Sequence, residues 1–316
     1  MKRYISIVLF IFVSISVKGQ QDPQFTQYIF NQLIINPAYA GSKEIHNICA
    51  TYSAQWAGFN GAPNTETISY DGPIARNMGL GVHFINDIIG AQMQQGLFGS
   101  YSYQLRLTER WRLSFGLALG FTNYTLDGTK LVSDNPDDPA VPKTKAGKLR
   151  FDSKFGIFAH NDRLYGGFSI TNLFGNVTKS EDLLVANTTR HYYLTGGYIF
   201  DLPKNFKLKP SIMIKEDFKS PTDIDLTAYC LYKEKLWLGL SLRGNIKMGK
   251  KNLDSSLKRR NALAIMAGWN IIDRLRIGYA YTVTLTSLKN YSGHEIELGY
   301  YFPSKVNPSM KTPRYF

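Results

Sequence analysis

Residues 97–121 read LFGSYSYQLRLTERWRLSFGLALGF, and their period decides the fold. In the second half Trp111, Leu113, Phe115, Leu117, Leu119 and Phe121 share one face, while Arg112, Ser114, Gly116, Ala118 and Gly120 share the other. Alternation with period two marks a β-strand with one apolar face. The first half repeats it, with Leu97, Tyr101, Tyr103, Leu105 and Leu107 set against Phe98, Ser100, Ser102, Gln104 and Arg106. LWLGLSLR (236–243) and RLRIGYAYTVTL (274–285) carry the same pattern.

Outward from this hairpin the pattern predicts about fourteen strands, at 45–56, 65–71, 78–86, 95–107, 111–123, 153–160, 163–170, 191–200, 207–216, 222–232, 235–243, 261–269, 274–284 and 293–302. Many approach the length of about 9–11 residues that a tilted strand needs to cross a membrane. The connections alternate in length. Those at 72–77, 108–110, 161–162, 201–206, 233–234 and 270–273 are short. Those at 57–64, 87–94, 124–152, 171–190, 244–260 and 285–292 are mostly longer, and 217–221 breaks the rule. Outer-membrane barrels have short periplasmic turns, long outer loops and an even strand number. A soluble sandwich gives no reason for such alternation. The expected fold is all-β, a transmembrane antiparallel up-and-down β-barrel.

The mean hydropathy of −0.21 fits, because only every second residue of a barrel strand faces lipid. Lys2 and Arg3 precede an apolar run from Ile5 to Val17, too short for a spanning helix, and Val17 and Gly19 are small. These features predict a signal peptide over 1–19, an N-terminal periplasmic or plug segment over 20–44, a barrel over 45–302 and a tail over 303–316. Lys2, Arg3 and Lys18 supply three of the +13 charges, which leaves the exported chain at +10. Export argues against nucleic acid, so anionic lipid, lipopolysaccharide or an acidic partner surface suits this charge better. Cys49 and Cys230, far apart on two strands, read as two packed thiols.

Chemistry is sparse. The five histidines show no HExxH spacing, no G-x-S-x-G elbow occurs, and no cofactor is expected. His191, at a predicted outer rim, is the best and a weak hydrolase candidate. Asp134, Asp137 and Asp138 could offer oxygen ligands to calcium but lack EF-hand spacing, and a solvated turn explains them. Lys247, Lys250, Lys251, Lys258, Arg259 and Arg260 form a basic outer loop that fits lipopolysaccharide or an acidic partner equally. On the lumen side the register places Arg106, Arg112, Lys207, Lys209, Lys215, Asp223, Asp225, Arg243, Arg274, Arg276, Glu295 and Glu297. Both signs occur, so ion pairs could close the lumen, with a charge-selective channel as the other reading. Glu295 needs a cation there, with Arg274, Arg276 or an arginine of another strand as candidates.

Ahead of the first strand, residues 22–42 read DPQFTQYIFNQLIINPAYAGS. Asp22 and Pro23 suit a helix start, and Phe25, Tyr28, Ile29 and Leu33 recur at helical spacing. A short helix through about Leu33 is expected, stopped by Asn36-Pro37 and followed by an Ala38-Tyr39-Ala40 turn ending at Gly41. So short a helix is marginal alone and must pack on the barrel, as a plug in the lumen or a lid on its periplasmic mouth.

This stretch resembles the N-terminal signature of the PorP/SprF family of the type IX secretion system in Bacteroidetes. QWAGFNGAPNTETISYDGP (55–73), GLGVHFINDIIG (79–90), HYYLTGGYIF (191–200) and SGHEIELGYYF (292–302) agree with it. The resemblance implies a non-enzymatic outer-membrane barrel that works with secretion-system components. It further implies partners that are secreted or surface proteins bearing a C-terminal sorting domain, and adhesins in gliding species. The candidate plug or partner-binding residues are Asp22, Pro23, Gln24, Phe25, Tyr28, Asn31, Asn36, Pro37, Tyr39, Gly41, Trp56, Gly58, Phe59, Pro63, Lys250, Lys251, Arg259, Arg260 and Glu295. A passive porin or small-solute transporter is the alternative.

Overall fold

The computed structural model describes residues 23–131, 143–174, 189–246, 262–286 and 288–302. The strands are β1 (Asn47–Ala54), β2 (Asn64–Ala75), β3 (Met78–Ile89), β4 (Gln92–Arg106), β5 (Arg112–Asp127), β6 (Lys145–His160), β7 (Leu164–Thr171) and β8 (His191–Tyr198). They continue as β9 (Phe200–Leu202), β10 (Phe206–Glu216), β11 (Thr222–Tyr232), β12 (Leu236–Ile246), β13 (Ala262–Ile272), β14 (Leu275–Thr284) and β15 (Ser292–Tyr301). Each pairs antiparallel with its neighbours, and β15 closes on β1 with Asn47 opposite Tyr301 and Ala54 opposite His294. β8 and β9 both pair with β10 and form one stave broken at Ile199, so the closed barrel has fourteen staves. Ile199 turns its side chain into the core at the break, beside Tyr39 and Phe158. Among the described residues no helix is long and apolar enough to cross a membrane.

The period-two pattern sorts the faces as expected. On β5, Phe115, Leu117, Leu119 and Phe121 are exposed on the outer wall, and Ser114, Ala118 and Thr122 are buried inside. Closure removes both sheet edges over the membrane, which the bilayer requires because it offers no water to unpaired backbone groups. Cys49 and Cys230 are both free thiols.

Three expectations about the strands need correction. The connection placed at 87–94 shrinks to residues 90 and 91, a tight turn with Gly90 at φ +58°. The connection placed at 124–152 is partly strand: β5 runs on to Asp127, and β6 begins at Lys145 rather than 153. In both places Asp87, Gln92, Gln94, Lys145, Lys148 and Arg150 interrupt the apolar series, so the alternation fades although the hydrogen-bond ladder continues. Finally, Arg106 and Arg274 do not line the lumen. Arg106 is exposed and donates to the Glu109 carbonyl, and Arg274 is exposed outside β14.

Candidate functional site within the barrel

Every residue from Phe25 to Lys43 is buried, and the partners of this segment are inward-facing residues of the wall. The segment lies inside the barrel. It runs from the long-loop end, where Gln24 meets Arg243, to the short-turn end, where Glu44 pairs with Arg112 at 2.8 Å. A lid across the mouth does not describe this path.

The expected capped helix is absent from the described part of the segment. Turns with Phe30 N–H on the Gln27 carbonyl and Asn31 N–H on the Tyr28 carbonyl lead into two short 3₁₀ turns, Gln32–Ile34 and Pro37–Tyr39. The physical reason lies in the surroundings. Wall groups encircle the chain, so Phe25, Tyr28, Ile29, Phe30, Leu33 and Ile34 are buried on every side, and no single apolar stripe is selected. The wall also takes backbone donors that a helix would use: Thr26 N–H and Gln27 N–H donate to the Glu295 carboxylate at 2.9 and 2.7 Å. Asp22, the expected cap, lies outside the described residues.

Glu295 does point inward, as its place in the pattern predicts, but neither Arg274 nor Arg276 pairs with it. Arg276 forms its ion pair with Glu297 instead, donates to the Tyr301 hydroxyl at 2.6 Å and sits 3.8 Å beneath the Phe30 ring centroid. Two backbone N–H groups of the segment satisfy Glu295. That solution matters for attachment, because a buried carboxylate holds its donors strongly.

Other polar contacts fix the path. Asn36 accepts from Ala38 N–H at 3.0 Å, starting the second turn, and donates to the Ile157 and Phe168 carbonyls at 3.0 and 3.4 Å. Ser69 donates to Asn31 at 3.0 Å. Ser102 donates to the Ala40 carbonyl at 2.6 Å, and Gly41 N–H donates to Asp71 at 3.0 Å. Lys154 donates to the Ile34 carbonyl and contacts His83, each at 2.9 Å. Arg243 grips Asp225 at 2.7 and 3.1 Å and donates to Gln24 at 2.9 Å. Apolar anchors complete the fit. Phe30 meets Tyr229 and Trp237 edge-on at 5.1 and 5.3 Å, and Tyr39 meets Phe158 at 5.4 Å.

The wall is cut to this shape. A Cβ added at Gly79, Gly116, Gly156 or Gly278 would overlap Ala40, Ala38, Asn36 or Gln27 respectively. All four glycines occupy lumen-facing positions of their strands. That parity is a signal in the sequence, since glycine inside a strand often marks close approach by another backbone. Gly41, at φ +70°, turns the chain toward β1 against the Gly79 backbone.

The remaining sequence candidates fall elsewhere. Trp56, Gly58, Phe59 and Pro63 belong to the connection between β1 and β2, outside the lumen cluster. There Ala57 N–H donates to the Ser292 carbonyl at 2.7 Å and Phe59 packs on Tyr291 at 5.4 Å. His191 is buried rather than exposed on the rim, close to the Tyr193 ring, which corrects its reading as a hydrolase residue open to substrate. Lys250, Lys251, Arg259 and Arg260, and Asp134, Asp137 and Asp138, lie outside the described residues. Among the described residues no group of three or more metal-ligating side chains occurs. Sequence reading missed Lys154, His83, Ser69, Ser102 and Asp71, which look like ordinary polar strand residues until something fills the lumen.

At the long-loop end of the segment lies a small cavity of about 60 Å³. Phe25, Ile34, Ile85 and Phe98 give it an apolar lining, and Lys215, Asp223 and Arg243 add charges.

Among solved structures, the toluene transporter TbuX of Ralstonia pickettii matches 86% of this chain and 93% of its own at 10% identity and TM-score 0.52. The CymD monoaromatic hydrocarbon channel matches 90% and 95% at 11% identity and TM-score 0.51. At such identities these likenesses establish the outer-membrane barrel fold alone. No curated protein sequence matches the chain. The family model described as type IX secretion system membrane protein PorP/SprF matches residues 17–300. The chain therefore belongs to the PorP/SprF family and is an outer-membrane β-barrel.

Proposed function

We propose that this barrel is a non-enzymatic docking component of the type IX secretion system. It receives secreted or surface proteins through their C-terminal sorting domains, for export or for retention at the surface. The observation that carries the reading is the buried segment from Phe25 to Lys43: a barrel filled this way works through its exposed ends rather than its lumen. The basic loop with Lys250, Lys251, Arg259 and Arg260 supplies charge for an acidic partner or for lipopolysaccharide. Aromatic residues of the 55–63 connection, Trp56 and Phe59, supply anchors. Residues 1–19 are a signal peptide cleaved after Gly19. Deleting the gene should remove particular sorting-domain proteins from the cell surface or leave them inside. Normal display of all of them in the deletion strain would refute the reading.

One observation favours a second reading, a small-solute conduit. The cavity beside Phe25, Ile34, Ile85 and Phe98 is apolar in part, and the similar barrels TbuX and CymD are named for toluene transport and a monoaromatic hydrocarbon channel. Saturable toluene binding that perturbs the Phe98 and Tyr193 ring resonances would support it; unchanged resonances would count against it.

A further inference from the structure

Three successive turns at the short-turn end are joined into one ridge: 203–205 between β9 and β10, 233–235 between β11 and β12, and 273–274 between β13 and β14. Lys233 N–H donates to the Asn205 carbonyl at 3.0 Å, which ties the first turn to the second. Asn270 donates from its N–H to the Lys235 carbonyl and from its side chain to the Glu234 carbonyl, each at 2.8 Å, which ties the second to β13. The centres of the first two turns are Lys204, Asn205, Lys233 and Glu234, at φ +58°, +62°, +49° and +59°. Two-residue hairpin turns with positive φ at both central positions favour Asn and Gly. Asn205 obeys that preference. Lys204, Lys233 and Glu234 carry a backbone cost that glycine avoids, and such a cost points to a use for the side chain.

Charge on the ridge does not balance. Asp201 pairs with Arg163 at 2.6 Å, and Glu234 pairs with Lys207 at 3.0 Å. Lys204, Lys233, Lys235 and Arg274 remain, all exposed and, among the described residues, without an ion pair, against the single acid Asp273. Directly beside these cations the outer wall is aromatic. The register sets Phe206 opposite Tyr232, Tyr232 opposite Leu236 and Leu236 opposite Trp269, one outward row next to the turns. The Phe206 and Tyr232 rings lie 4.6 Å apart, the Lys233 ammonium lies 5.2 Å from the Tyr232 ring centroid, and Trp269 is 54% exposed. Aromatic rows of this kind sit at the headgroup level of a bilayer. Lysines just beyond them reach the phosphates, where a lipid with net negative charge gains most.

We propose that this ridge binds an anionic glycerophospholipid of the leaflet at the short-turn end, the periplasmic one in an outer-membrane barrel. Lys204, Lys233 and Lys235 hold its phosphate, and the row from Phe206 to Trp269 lies against the start of its acyl chains. Cations and an outward apolar row side by side suit one amphipathic ligand. An acidic protein in the periplasm meets the cations but leaves the row without a use. The site stands apart from the docking loops, which belong to the long-loop end, so it holds or fails independently of that function.

The test titrates the full-length barrel in detergent with dioleoyl-phosphatidylglycerol or dioleoyl-phosphatidylcholine and reads bound lipid by native mass spectrometry. Phosphatidylglycerol should bind at least about tenfold more tightly than phosphatidylcholine. The combined variant Lys204→Gln, Lys233→Gln, Lys235→Gln should lose at least about tenfold in phosphatidylglycerol affinity, with phosphatidylcholine unchanged. Arginine at the same positions keeps the charge and should keep the preference, which a merely damaged set of turns would not. Lys289→Gln, at the long-loop end, should leave the preference intact. Equal affinity for the two lipids, an unchanged preference in the glutamine variant, loss of the preference in the arginine variant, or the same loss from Lys289→Gln would overturn the proposal.

Discussion

Glu295→Ala is the sharpest perturbation of the segment inside the barrel. The carboxylate accepts from Thr26 N–H at 2.9 Å and from Gln27 N–H at 2.7 Å, and it is 2% exposed. A hydrogen bond to a charged group contributes about 1.5–3 kcal/mol, so losing two costs about 3–6 kcal/mol of attachment. At about 1.4 kcal/mol per factor of ten, the population with the start of the segment released rises by about 10²–10⁴. Hydrogen exchange with mass spectrometry on the folded barrel reads this directly. Peptides covering 25–35 should exchange at least about tenfold faster in the variant. Peptides from the β4–β5 pair should not change, because that pairing does not involve Glu295. Glu295→Gln keeps a neutral acceptor and should fall between the two. Wild-type exchange over 25–35 in a folded Glu295→Ala barrel would refute the argument that these two bonds hold the segment.

Other outcomes follow from the same geometry. Gly156→Val should displace the second turn, because its Cβ overlaps Asn36; expected are a folded barrel with faster exchange over 33–41 and a lower midpoint of thermal unfolding. In the turn at 217–221, burial alone would raise the Asp217 pKa, but the Ser220 hydroxyl and the Ser220 and Lys219 amides donate to the carboxylate and hold it below its usual value. A depressed folded pKa contributes stability above the unfolded value near about 4 and loses it as pH falls through the folded one. Exchange in this turn should therefore rise, after correction for intrinsic rates, below that pH, and Asp217→Asn should remove the dependence. Mass spectrometry of protein purified from outer membranes should find Gln20 at the N-terminus; retention of Lys2 or Arg3 would refute cleavage after Gly19.

The staves were legible where lipid enforces an apolar face. Phe115 to Phe121 and Leu236 to Leu242 could hardly be read otherwise. Legibility fell where a strand leaves the bilayer. Residues 145–152, 87–89 and 92–94 mix lysines, glutamines and acids with Ile88, Ile89, Met93, Leu149 and Phe151, which hides the period, yet these stretches are paired in the ladder. The N-terminal segment shows the opposite limit. Its apolar residues and the Asn36-Pro37 stop marked it as buried and broken, but helical spacing was a false guide in a site enclosed on all sides. Glu295 was placed on the correct face, but its donors at hydrogen-bond distance are backbone N–H groups and neither Arg274 nor Arg276. The register says which way a side chain points, and nothing local says that Thr26 and Gln27 come to meet it from 268 or more residues away in sequence.

The central claim is that the lumen is filled by the N-terminal segment, so that the protein acts at its ends. Planar-bilayer recording of the purified barrel, intact and with residues 20–43 removed, tests it most directly. The intact barrel should give no stable conductance steps, and the truncated barrel, shown by circular dichroism to be folded, should give them. Stable open-channel current from the intact barrel would contradict the account.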